Sequence, residues 1–172
     1  VRGRAGFSRC RRYRYWLRRD WDSALPQCAF IGLNPSTADA QTDDPTLRRC
    51  MGFARQWGYG SLLLVNLFGF RATDPAALST VSDPVGPRAN HWLRRAAAES
   101  PLLVAAWGNG GQLFERATRV AHLIHNAQCL GVTAQGMPRH PLYCPKRSCL
   151  VPYRPPSLSL IHISEPTRQH WI

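Results

Sequence analysis

Residues Cys28–Ser36 read CAFIGLNPS, an apolar run that ends in an Asn-Pro turn signal. A short apolar run of this kind, bounded by a turn, is typical of a strand that is buried on both faces. A second such run, SLLLVN, lies at Ser61–Asn66, and between the two stands Asp44-Pro45, which has the form of a helix cap followed by a first-turn proline. The strand–helix–strand order predicts a parallel sheet covered by helices.

The same alternation continues outward from this pair. Apolar runs predict further strands at Leu102–Ala106 and Gln128–Val132, and the alternating basic and aromatic residues of Arg11–Leu17 predict an edge strand. Helices are predicted over residues 44–57, 87–99 and 113–126. We therefore expect a three-layer α/β fold in which helices flank a four-stranded, mainly parallel sheet. It forms one domain over residues 1–154, a length that can bury a core.

The C-terminal segment has a different character. Residues Leu158–Arg168 read LSLIHISEPTR, which resembles the conceptual translation of a transposase adapter used in preparing sequencing libraries. We interpret residues 155–172 as a non-native, adapter-derived tail that is detached from the domain, and a genuine Pro/Ser-rich tail is the alternative. Functional inference is confined to the preceding residues.

Polar side chains follow the predicted strands where ligands of such folds bind. In open α/β sheets the binding crevice lies outside the carboxyl ends of the strands. Asn34 follows the first buried strand, Asn66 ends the second, and His140 opens a His-Pro segment after the fourth. We expect the three to converge on one crevice. Each also has a purely structural interpretation, as a turn residue, a partner of loop backbone groups and a solvated loop histidine.

Four segments in order carry a resemblance to the uracil-DNA glycosylase superfamily. They are GLNPS at 32–36, LLLVNLF at 62–68 with RAT at 71–73, AAWG at 105–108 and HPLY at 140–143, and they resemble the mismatch-specific uracil/thymine branch. The core as a whole more closely resembles a bacterial and phage family known as domain of unknown function 1643. This nearer resemblance implies the fold and no established activity.

The glycosylase resemblance implies a role for each polar residue. In it, Asn34 orients the attacking water, Asn66 reads the edge of a flipped base, and His140 stabilises the charge left on the departing base. The sequence departs from the family pattern in three ways. An asparagine stands at position 34 where the fastest uracil enzymes have aspartate, the serine that usually follows the His-Pro pair is absent, and residues Ala134–Arg139 separate that pair from the fourth strand. These departures leave the fold expected and the chemistry open.

The residue types suit this chemistry on physical grounds as well. Cleaving an N-glycosidic bond needs an extruded base, a held water and a donor placed where negative charge develops. An asparagine carbonyl can hold water, an asparagine amide matches the O4/N3 edge of a pyrimidine, and a histidine can donate to a base oxygen. Candidates for substrate contact, by stacking or hydrogen bonding, are Phe30, Phe68, Tyr143 and Ser36.

Charge is the most unusual feature of the composition. The chain has 22 Lys+Arg against 10 Asp+Glu, a formal net charge of +12, and Lys146 is its single lysine. Because guanidinium groups suit phosphate, this balance indicates nucleic acid as a partner, and the glycosylase resemblance implies that it is DNA. The alternative is an arginine-rich, solvated surface that reflects a GC-rich genome. The candidates for phosphate contact near the predicted crevice are Arg11, Arg12, Arg14, Arg48, Arg71 and Arg139.

No cofactor or metal is expected. The six cysteines contain no C-x-x-C pair, which disfavours a zinc or iron–sulfur site, and Asp39, Asp43 and Asp44 are an alternative metal cluster only if Asp44 is not a helix cap. No apolar run reaches the length of a membrane span and no signal peptide opens the sequence, so we expect a cytoplasmic monomer without membrane contact.

These observations lead to one functional hypothesis with two rivals. The leading hypothesis is a DNA base-processing enzyme that cleaves the N-glycosidic bond of a flipped, modified or mismatched pyrimidine. One rival is a DNA- or RNA-binding module that retains the pocket without catalysis. The other is an N-glycosidase that acts on free nucleosides or nucleotides.

Overall fold

A computed structural model describes residues 1–156 of the chain. The strands are β1 Arg2–Phe7, β2 Arg14–Asp20, β3 Gln27–Gly32, β4 Ser61–Asn66, β5 Leu102–Ala105, β6 Gln128–Cys129 and β7 Val151–Pro152. The α-helices are α1 Pro45–Gln56, α2 Ala89–Glu99 and α3 Arg116–Arg119. The predicted tail after position 156 lies outside the described residues.

The strands form a single mixed sheet in the order β1-β2-β4-β3-β5-β6-β7. The four central strands, β4, β3, β5 and β6, are mutually parallel and correspond to the four predicted ones, although β6 covers only the first two residues of its predicted range. The prediction of a four-stranded, mainly parallel sheet is nevertheless wrong, because β1, β2 and β7 add to it in antiparallel orientation. The α/β class itself holds.

The strand predicted at Arg11–Leu17 is also placed differently. It is found as β2, which pairs with β1 on one side and β4 on the other, so it is not an edge strand. Its alternation of basic and aromatic residues predicts an edge strand, yet Arg14 is 2% exposed, and Arg19, just beyond the predicted segment, is 3% exposed. Buried arginines mimic the pattern of an edge strand because long cationic side chains can reach polar partners inside the fold.

Helices cover both faces of the sheet, as a buried parallel sheet requires. Side chains alternate along β3, so that Cys28 and Phe30 pack in one core with α1, whereas Ala29 and Ile31 pack in the other with α2 and α3. Helix α1 begins as predicted, because the Asp44 carboxylate accepts a hydrogen bond from the backbone N–H of Leu47 at 2.8 Å. The sequence prediction of α1 is confirmed.

The helix predicted over residues 113–126 is wrong. The chain instead forms a 3₁₀ segment at Gly108–Glu115, the short α3, and a further 3₁₀ turn at Ala121–Leu123. Phe114 and Glu115 have φ values of 54° and 56°, and a left-handed backbone interrupts a right-handed helix. The apolar periodicity was real, since Ala117, Val120 and other members of the series are buried, but it spans several short turns.

Candidate functional site

A cavity of about 320 Å³ lies at the carboxyl ends of β3 and β4. Its walls come from the loop after β3, the end of β4, the start of β2, the N-terminus of α1 and the segment that begins at His140. The loops after β3 and β4 are tied together by backbone hydrogen bonds, among them Leu67 N–H to Gly32 O at 3.0 Å and Ala72 N–H to Pro35 O at 2.9 Å. This volume is near the lower end of ligand pockets, which span roughly 300–1,000 Å³.

Asn34, Asn66 and His140 all line this cavity. The structure therefore brings together the three polar residues that the sequence placed at strand ends. Asn34 is held firmly, because its Nδ2 donates to the carbonyls of Pro35 at 3.0 Å and Ala72 at 2.8 Å. Two carbonyl acceptors settle which end of the amide is nitrogen, and they leave the Oδ1 atom available to accept from a ligand or a water.

Asn66 is held in a different way. Its side chain is 5% exposed, and its Nδ2 has no hydrogen-bond partner among residues 1–156. Room for it comes from Gly32, where an added Cβ would stand 2.8 Å from the Asn66 Oδ1. An unsatisfied buried donor costs about 1–3 kcal/mol, and such groups in native structures call for an explanation. A ligand in the cavity would supply the missing acceptor.

The His140 ring has a defined tautomer. Its Nδ1 accepts a hydrogen bond from the backbone N–H of Leu142 at 3.2 Å, so in the neutral ring the proton is on Nε2. Burial lowers the pKa of His140 below its usual value, and the nearby Asp44 carboxylate opposes this shift. The ring is thus neutral at pH 7, with Nε2–H as its remaining donor.

Two charged side chains complete the cavity wall. Arg14 is 2% exposed, and Asp44 is the residue that caps α1. The sequence placed Arg14 among the arginines at the lips of the crevice, but the structure buries it. Its position follows from β2 running antiparallel to β4, which brings the start of β2 to the edge where β4 ends.

A basic groove adjoins the cavity on one side. We call it the Arg71 groove: it has a volume of about 600 Å³, is lined by Arg11, Arg12 and Arg71, and shares Ser36, Ala72 and Thr73 with the cavity. The Arg11 and Arg71 guanidiniums lie 4.2 Å and 4.8 Å from the centre of the Phe7 ring. None of the three arginines forms an ion pair with a carboxylate in residues 1–156.

A second basic groove runs along α1. This α1 groove has a volume of about 460 Å³, carries Arg48, Arg49 and Lys146, and meets the cavity at Leu142. Its helical members recur at positions 45, 48, 49, 52, 53 and 56, the spacing of one helix face. Arg49 and Lys146 were not among the predicted phosphate contacts, although this spacing could have indicated Arg49. Arg139 lines neither groove and donates to the Tyr143 carbonyl at 2.8 Å.

Of the three aromatic candidates for substrate contact, two are buried in the core and one is exposed. Phe30 and Phe68 are both 0% exposed, and Phe30 stacks on Trp57 inside the core with ring centroids 5.9 Å apart. Neither phenylalanine lines the cavity, so stacking on a ligand there is excluded for both. Tyr143 lines the cavity and is 76% exposed, which places an aromatic ring at its mouth.

The alternative of an aspartate metal cluster finds no support in the geometry. Asp39 accepts from the backbone N–H groups of Gln41 and Thr42, Asp43 pairs with Arg19, and Asp44 caps α1. Within residues 1–156 no group of three or more histidine, cysteine or acidic side chains is placed to hold a metal ion, and the six cysteines are free thiols. In the same part of the chain, no helix is long and apolar enough to cross a membrane.

Comparison with known proteins and protein families gives a match at the level of a family. No curated protein matches it, and no solved structure does so either. The model of a family described as "Protein of unknown function (DUF1643)" matches residues 14–142, which is about three quarters of the chain and includes every cavity-lining residue except Tyr143. The chain therefore belongs to the DUF1643 family.

Proposed function

We propose that this protein is a DNA base-processing enzyme that hydrolyses the N-glycosidic bond of a flipped pyrimidine, as uracil-DNA glycosylases do. The observation that carries the proposal is the cavity, where Asn34, Asn66 and His140, from three separate segments, line one small space between two basic grooves. A pocket for an extruded base needs polar groups at its wall and a phosphate-binding surface beside it.

The grooves supply the phosphate contacts in this proposal. Their six cationic side chains form no ion pair with a described carboxylate, so their charge is available to a ligand. Phosphates on either side of the flipped nucleotide would lie in the Arg71 groove and the α1 groove. Tyr143, exposed at the cavity mouth, is positioned to stack on the extruded base or its neighbour.

In this reaction the main contribution of the protein is to position the water, the base and a hydrogen-bond donor. The water oxygen bonds to the sugar C1′, the bond from C1′ to the base nitrogen breaks, its electron pair leaves with the base, and the water proton passes to solvent. Asn34 would hold the water through Oδ1, because its Nδ2 is committed to two backbone carbonyls. His140 would donate from Nε2–H to the base oxygen on which charge develops. Asn66 would bind the base edge.

The test is release of bases from duplex and single-stranded oligonucleotides that each carry one modified or mismatched pyrimidine, detected by strand scission at abasic sites. His140→Ala should lower turnover by about 10²–10³-fold, the usual cost of losing one donor to a developing anion. Asn34→Ala should lower turnover with product affinity nearly unchanged. Asn66→Asp should change which base is accepted, because it replaces a donor pair with a charged acceptor.

DNA binding is measured separately, so that binding and catalysis can fail independently. Affinity should fall steeply with salt, and Arg71→Ala should reduce the slope of log K against log salt by about 1. Arg94→Ala, an exposed arginine of α2 outside both grooves, is the matched control with the same change in net charge. Salt-sensitive binding without base release would favour a non-catalytic DNA- or RNA-binding module. Release from free nucleosides without DNA affinity would favour the small-molecule N-glycosidase.

A further inference from the structure

Three arginines are buried in residues 1–156, and among them Arg14 makes the fewest hydrogen bonds through its guanidinium. Arg19, 3% exposed, pairs with Asp43 at 2.9 Å. Arg116, 0% exposed, donates to the Leu67 carbonyl at 2.8 Å and to the Asn90 side chain at 2.6 Å. Arg14 makes a single side-chain hydrogen bond, from Nη1 to the Ala38 carbonyl at 2.8 Å, and its Nε is buried without a partner.

Arg14 keeps its positive charge despite its burial. Desolvation lowers the pKa of Arg14 to about 10, which leaves the guanidinium protonated at pH 7. It forms no ion pair with any carboxylate in the described part of the chain. The negative charges of Asp44 and Asp39 favour the protonated guanidinium, but neither carboxylate is bonded to it. A buried charge without a directly bonded partner is costly, so such a group is expected to meet a counterion in the working state of the protein.

A second unsatisfied donor lines the same cavity. The Asn66 Nδ2 is buried and has no partner, and both Arg14 and Asn66 line the 320 Å³ space. We propose that Arg14 and Asn66 form a subsite for an oxyanion, either a phosphate or a carboxylate carried by the ligand. A guanidinium beside an amide N–H offers several donors to the oxygens of one anionic group. The subsite does not depend on the glycosylase proposal. An oxyanion there would occupy the place that the proposed function gives to the edge of a neutral base, so the two are alternative ligands of Asn66.

One cavity group opposes an anion. Asp44 lines the wall with its carboxylate, whose charge is offset in part because it caps the positive N-terminal end of α1. This opposition makes the proposal testable in both directions. Asn66→Asp adds a negative charge at the subsite and should weaken oxyanion binding. Asp44→Asn removes one, keeps a good capping residue and should strengthen it.

The experiment is calorimetric titration of the full chain, in a buffer free of phosphate, with inorganic phosphate, with orotate as a pyrimidine carboxylate, and with uracil as its neutral match. Binding of either anion should weaken about 10- to 100-fold in Asn66→Asp, the effect of a charge-assisted hydrogen bond. It should tighten several-fold in Asp44→Asn. Asp22→Asn, an exposed carboxylate outside the cavity, is the charge-matched control and should leave it unchanged.

The ligands distinguish the source of the oxyanion. Binding of phosphate without orotate indicates that the ligand carries a phosphate group, and binding of orotate without phosphate indicates a carboxylate. Binding of both indicates a subsite that accepts either oxyanion. Binding of neither anion at millimolar concentration overturns the proposal. So does equal affinity for orotate and uracil when phosphate does not bind, or anion binding that Asn66→Asp and Asp44→Asn leave unchanged. Arg14→Lys, which keeps the charge, should retain part of the affinity that Arg14→Gln loses, and thermal unfolding of both variants checks that each is folded.

Discussion

Replacing each cavity asparagine with leucine should change stability in opposite directions. Leucine and asparagine branch at the same atom and have the same number of heavy atoms, so the substitution replaces the amide's polar atoms with somewhat larger methyl groups. Asn66 is 5% exposed and its Nδ2 has no partner in residues 1–156, so its removal relieves a buried, unsatisfied donor. Leaving such a donor unpaired costs about 1–3 kcal/mol. We therefore expect Asn66→Leu to raise the free energy of unfolding by about 1–2 kcal/mol.

Asn34 provides the matched control within the same cavity. Its Nδ2 donates at 2.8 Å and 3.0 Å to two backbone carbonyls, each bond having a net worth of about 0.5–1.5 kcal/mol. Asn34→Leu should therefore lower the free energy of unfolding by about 1–3 kcal/mol. The sign of the difference between the two variants follows from the hydrogen bonds alone.

Urea unfolding of both variants and the wild type, monitored by far-ultraviolet circular dichroism, measures these changes. A stabilisation of 1 kcal/mol corresponds to about 2–4 °C in Tm for a domain of this size. The reasoning is refuted if Asn66→Leu is destabilised by as much as Asn34→Leu, because the Asn66 amide would then have a structural partner. A loss of ligand or DNA affinity in a stabilised Asn66→Leu would identify Asn66 as a residue kept for binding at the expense of stability.

Three further outcomes are expected. Asp44→Ala should lower the free energy of unfolding by about 1 kcal/mol through loss of the α1 cap, measured by urea unfolding, whereas Asp44→Asn should have little effect. Because burial lowers the pKa of His140 in the folded state, the unfolded chain binds more protons, and the free energy of unfolding should fall as pH drops from about 7 through the folded pKa. Thermal unfolding measured across this pH range should show a smaller loss of stability in His140→Gln than in the wild type. Gly32→Ala should displace the Asn66 side chain and weaken ligand binding in the cavity, because the new Cβ would stand 2.8 Å from the Asn66 Oδ1; a binding titration that finds unchanged affinity would contradict this reasoning. Gly52→Ala, within α1 at a position where an added Cβ meets no neighbouring atom, should instead raise the free energy of unfolding by about 0.5–1 kcal/mol, measured by chemical unfolding.

The local sequence determined the elements whose signals lie close together along the chain. The runs at Cys28–Leu33 and Ser61–Asn66 form adjacent parallel strands, and Asp44 caps the helix between them. Because parallel strands end at the same edge of a sheet, the positions of Asn34 and Asn66 along the chain also indicated that they lie near one another, and both line the cavity with His140.

Only the tertiary structure decided the features that depend on distant pairing. Strands β1, β2 and β7 join the sheet in antiparallel orientation, and no pattern within a strand specifies its distant neighbour. The burial of Arg14 follows from that pairing, which carries a residue predicted at the surface into the cavity wall. The sequence predicts Phe30 and Phe68 as ligand contacts, but their side chains pack into the two cores. For Phe30 the pleat of β3 decides which way the side chain points, and proximity to Asn34 along the chain does not.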